Sequence, residues 1–119
     1  MIQLKRIYDP AEDTDGQRIL VDRIWPRGVT KEKAQITVWM KDIAPSPSLR
    51  TWFGHRPERF DEFKARYETE LSDVAVLPYL EKLRRWSELG MVTLLYAAKE
   101  RQFNHAVVLK EYLDTLESR

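Results

Sequence analysis

The chain has 119 residues, enough for one domain that buries roughly two thirds of the surface its unfolded form exposes. Hydrophobic residues make up 43% and charged residues 33%, and no apolar run approaches the ~20 residues that span a bilayer, so no membrane partner is expected. Twenty basic and nineteen acidic residues leave a net charge of +1, which argues against a general polyanion binder, and the lack of cysteine excludes disulfides, thiol catalysis, iron–sulfur clusters and Cys-ligated zinc.

Taken in chain order, Ile2, Leu4 and Tyr8 alternate with polar residues while Ile7 departs from the pattern, which predicts a half-buried strand over 2–8. Asp9-Pro10 ends it, because proline has no N–H for a ladder and restricts the residue before it. The acidic stretch 9–16, closing on Asp15-Gly16, reads as an exposed loop. Arg18 to Trp25 is the strongest strand pattern, and its run Ile19-Leu20-Val21 suits a strand covered on both faces. Pro26-Arg27-Gly28 stops it. Thr30 is placed to cap a short turn through 31–34. Ile36, Val38 and Met40 alternate with Thr37, Trp39 and Lys41, which predicts a third strand.

Pro45-Ser46-Pro47-Ser48 breaks that element, with Ser46 as N-cap and Pro47 as first residue of a short helix ending at Gly54. A long helix follows over 57–72, with Phe60, Phe63, Tyr67 and Leu71 near one face. Leu77, Leu80, Leu83 and Trp86 form a second helical stripe closed by Gly90. Met91 to Tyr96 reads as another buried strand, and Ala106, Leu109, Leu113 and Leu116 give a final helix over 104–117. Buried strands separated by amphipathic helices predict an α/β fold: a small, mainly parallel sheet of about four strands with helices packed on it, Rossmann-like and three-layered.

Ligands of open α/β sheets bind beyond the carboxyl ends of the strands. Two strand ends here carry polar clusters, Asp22-Arg23-Ile24-Trp25-Pro26-Arg27-Gly28 and Tyr96-Ala97-Ala98-Lys99, the latter leading to Asn104-His105. Adjacent parallel strands would bring them into one crevice. There Arg23 and Arg27 would grip a phosphate or carboxylate, Lys99 and Asn104 would assist, and His105 would move a proton near neutral pH. Asp22 would orient an arginine or act as base, Trp25 and Tyr96 would wall the cleft, and Gly28 would let backbone approach a ligand. Each has a structural alternative. Asp22 and Arg23 can form an ion pair, Asn104 can simply cap the last helix, Trp25 can be core, and His105 and Lys99 can be solvated surface.

A second candidate is Trp52-Phe53-Gly54-His55, with Lys41 near the end of the third strand. No HxH or HExxH spacing supports a metal site, and no GxGxxG, P-loop or GxSxG motif is present. Nicotinamide, flavin, iron–sulfur and zinc cofactors therefore have no motif behind them.

Residues 8–10, 15–18, the string Val21-Asp22-Arg23-Ile24-Trp25-Pro26-Arg27-Gly28, residues 39–46, 52–55 and 94–99 together resemble the YeaO-like branch of a family catalogued as domain of unknown function 488. The resemblance covers residues 8 to 113 and implies a small cytoplasmic α/β domain without an assigned activity. Wider relatives carry a Cys-His-Arg signature after the last strand, where this chain has Asn104-His105-Ala106, so only His105 carries over. The leading functional expectation is a domain that binds or transforms a small anionic, phosphate-bearing molecule. A nucleic-acid-associated module and a non-catalytic regulatory or protein-interaction domain are the alternatives; the sequence leaves oligomeric state open.

Overall fold

The computed structural model describes residues 1–117, in which a four-stranded sheet carries its helices mainly on one face. The strands are β1 (Ile2–Arg6), β2 (Gln17–Leu20), β3 (Val38–Trp39) and β4 (Val92–Tyr96), in the order β1-β4-β2-β3 with every pair parallel. The helices are α1 (Lys31–Ala34), α2 (Pro47–Phe53), α3 (Phe60–Leu71), α4 (Leu77–Leu89) and α5 (His105–Glu117). The apolar runs predicted to be covered on both faces are the two central strands. All five residues of β4 are buried, as are Arg18, Ile19 and Leu20 of β2. The edge strands β1 and β3 are half-buried throughout.

Side chains alternate across the sheet and so divide the core in two. Ile19 and Leu94 join Phe63, Tyr67, Leu109 and Leu113 of the long helices in the larger cluster. Leu20 and Leu95 join Ile7 and Ala34 in the smaller, with Trp25 and Trp39 packed against it. The third layer is thus a one-turn helix and loops rather than long helices.

Four sequence expectations are corrected. The 18–25 strand leaves the ladder after Val21, whose N–H still donates to Leu95 O at 3.1 Å. Asp22 and Arg23 then turn their side chains to partners outside the sheet. The third strand shrinks to two residues, although Thr37 and Met40 also donate to the β2 carbonyls of Arg18 and Leu20. The helix predicted over 57–72 begins as a 3-10 turn (Pro57–Arg59), and regular α-helix starts only at Phe60.

The 9–16 loop is not wholly exposed. A 3-10 turn at Asp13–Asp15 drives the Asp15 carboxylate inward, where it receives Lys5 Nζ at 3.1 Å and the Arg18 guanidinium at 2.5 Å. The caps around α2 agree with the sequence reading: the Ser46 hydroxyl accepts from Leu49 N at 3.3 Å, and Gly54 closes the helix at φ +54.

Candidate functional site

Because β4 lies directly beside β2, the segments that follow their carboxyl ends are neighbours. A cleft of about 580 Å³ opens between them, inside the usual range for small-molecule pockets. One wall is Asp22 to Pro26. Opposite it stand Ala97 to Glu100 with Asn104 and His105. Ala44, Pro45, Arg50, Phe53, His55 and Phe63 complete the enclosure.

Asp22 and His105 form its inner polar pair. His105 opens α5, and its Nε2 lies 2.7 Å from Asp22 Oδ1. The contact has ion-pair distance without hydrogen-bond alignment, and neither of these buried atoms has another partner. Asp22 is steadied through its other oxygen, which accepts from Ala97 N at 3.1 Å. Asp22 therefore ties the β2 tip to the β4 tip and to the last helix. Both side chains line the cleft.

Several expected ligand groups are committed elsewhere. Asn104 Oδ1 accepts from Val107 N at 3.0 Å, an N-cap contact, while its Nδ2 donates to Glu100 O at 2.8 Å. Arg23 does not pair with Asp22. Its guanidinium donates to the carbonyls of Ala44 at 2.9 Å and Pro45 at 3.1 Å, fixing that part of the wall. The Trp25 indole donates to Val29 O at 2.8 Å, and its ring meets Trp39 edge-on with centroids 5.4 Å apart.

Arg27 and Gly28 are exposed and do not line the cleft; the Arg27 carbonyl accepts from the Tyr8 hydroxyl. Tyr96 does not wall the cleft either: it is buried in the larger core cluster, and burial raises the pKa of its hydroxyl against the lowering influence of Arg101. Lys99 does line the cleft and is exposed.

The second candidate divides. His55 joins the main cleft, held at φ +57 immediately after Gly54. Trp52 turns away and lies between the guanidinium groups of Arg59 and Arg66, at 5.2 and 4.5 Å from its ring centroid. Lys41 is likewise outside, its ammonium 5.1 Å from the Trp39 ring.

Arg50 went unmarked in the sequence. Its signal was there: it precedes Phe53 by three positions in a short helix, which puts both on one side. Among the described residues no group of His, Asp or Glu side chains is arranged to hold a metal ion, and no helix is long and apolar enough to cross a membrane.

This architecture defines a small parallel α/β domain with a cleft at its central strand ends. The family model described as the inactive DUF488-N3 subclade matches residues 1–119, and the chain belongs to that family. It is 45% identical over 113 residues to an uncharacterised protein of Mycobacterium tuberculosis, covering 95% of this chain and 93% of that protein. It is 41% identical over 118 residues to the uncharacterised protein YeaO of Escherichia coli, covering 97% and 98%. No solved structure matches the chain.

Proposed function

We propose that this domain binds a small phosphate-bearing anion in the cleft and holds it without forming a covalent intermediate. One observation carries the reading: Arg50 and Lys99 both line the cleft, and among the described residues neither has an ion-pair partner. The acids nearby are occupied. Asp22 faces His105, and Glu100 accepts from Gln102 N at 2.8 Å. The free cations are thus positioned for an anion that bridges the α2 side to the β4 side. His55 adds a third group on the α2 side. A non-Gly residue with positive φ is held there at a cost, and such residues concentrate at ligand sites.

Binding without covalent chemistry is favoured by Asn104, whose side chain is spent on the helix cap and a loop carbonyl. The subclade's description as inactive agrees with this reading. The expectation that Arg23 and Arg27 form the grip is replaced here. Arg23 braces the wall and Arg27 stands outside it, so the anion falls to Arg50 and Lys99.

The test is chemical denaturation with ribose 5-phosphate at a hundredfold excess over its dissociation constant. A rise of about 2.7 kcal/mol in unfolding free energy is expected. Arg50→Ala/Lys99→Ala should abolish the rise, whereas Arg27→Ala should keep it. An undiminished rise in the double variant overturns the proposal.

A further inference from the structure

The same cleft has a chemical character beyond its charges. Much of its wall is apolar: Ile24, Trp25 and Pro26 stand on one side and Phe53 and Phe63 on another. The phenyl rings of Phe53 and Phe63 stack with centroids 4.2 Å apart, and both side chains are almost fully buried, so they form a rigid floor. Trp25 is held by its hydrogen bond to Val29 O and its edge-on contact with Trp39.

Ile24 is different. It is 56% exposed and belongs to neither core cluster. A large aliphatic side chain left more than half exposed on the lining of a cleft gains free energy when something apolar covers it. A bare sugar phosphate would leave it wet and would set hydroxyls against Trp25, Pro26 and the phenyl floor, where few groups could satisfy them.

Resting on the reading of this cleft as an anion site, we propose that its ligand is a phosphate ester bearing a planar aromatic ring. The ring enters between the Ile24–Pro26 wall and the Phe53–Phe63 floor. The phosphate stays at the rim with Arg50 and Lys99. His105, which also lines the cleft, is a polar group that a ring heteroatom or hydroxyl can meet, and an aromatic ring packs favourably on the indole and phenyl surfaces.

Calorimetric titration of the full chain with phenyl phosphate, adenosine monophosphate, ribose 5-phosphate and phenol, at one ionic strength, tests this. The two aromatic phosphates should bind about tenfold or more tightly than ribose 5-phosphate, as expected from the extra apolar area covered. Ile24→Ser, a change at an exposed position that leaves both core clusters intact, should weaken phenyl phosphate about fivefold and ribose 5-phosphate by less than about twofold.

Equal affinity for ribose 5-phosphate and phenyl phosphate, or an Ile24→Ser variant indistinguishable from the parent, overturns the aromatic preference while leaving the anion reading intact. Binding of phenol as tight as that of phenyl phosphate overturns the role of the phosphate. Failure of every phosphate to bind ends both.

Discussion

Gly16 and Gly28 both sit at positive φ, +63 and +77, yet their surroundings differ sharply. A Cβ at Gly16 would lie 2.2 Å from the carbonyl oxygen of Met91, a backbone atom next to β4 that cannot swing aside. A Cβ at Gly28 would meet nothing within 4 Å. Gly16→Ala therefore combines conformational strain with a steric clash and is expected to cost about 3 kcal/mol or more. Gly28→Ala carries the conformational term alone, about 1 kcal/mol. Urea denaturation of the two variants measures the difference; comparable losses would mean that the Gly16–Met91 approach is not a constraint. At this scale the sequence was a partial guide. A glycine after an aspartate marks a turn, but the nearness of Met91 depends on a strand arriving from 75 positions further along. Residue type identified Arg23 as a candidate, whereas its partners, the carbonyls of Ala44 and Pro45, exist only once the chain has folded.

The turn between β1 and β2 is held by a buried ionic cluster. Asp15 accepts from Glu12 N and Gln3 Nε2 as well as from Lys5 and Arg18, and Arg18 also donates twice to Ala34 O. Burial alone would raise the carboxyl pKa, but the Glu12 backbone bond and the hydrogen bonds from Lys5 and Arg18 outweigh it and hold Asp15 below the ordinary aspartate value. A pKa lowered in the folded state means stability that is present above the unfolded value near 3.9 and is lost as pH falls through it toward the folded value. Stability is expected to decline below about pH 4, and Asp15→Asn should flatten that decline. The same change strands Lys5 and Arg18 with reduced compensation, at a cost of about 3 kcal/mol near neutral pH. Urea titrations at pH 7 and below pH 4 check both signs; an Asp15→Asn variant with the parent's acid slope would assign the decline to other carboxylates. The acidic stretch 9–16 looked like solvated loop because charge density is visible in sequence, whereas the two cations that bury Asp15 come from the flanking strands. The helices were more legible, since Ser46, Pro47 and Gly54 act locally on α2.

The order β1-β4-β2-β3 gives the whole molecule an all-or-none character. β1 pairs Ile2 with Val92, and β2 pairs Ile19 with Leu94, so the centre of the sheet stays vacant until the last strand inserts. Burial of the apolar runs was readable in advance because central strands need apolar side chains on both faces. Which strand lies between which was not, because no local pattern records a partner ninety positions away. The cleft shares this dependence. Asp22 meets Ala97 and His105 only through β4 insertion, so no partly formed sheet can present the site. Backbone amides of Leu94 and Leu95 should exchange with solvent only through global opening, with an exchange free energy within about 1 kcal/mol of the urea value. A ligand lodged between the β2 and β4 tips should raise both by the same increment, since it binds only the assembled sheet. Native-state hydrogen exchange with and without phenyl phosphate supplies the measurement. If the β4 amides exchange several kcal/mol more easily than the amides of α3 and α5, the final strand can leave a folded helical layer, and the site opens by local release rather than by unfolding of the domain.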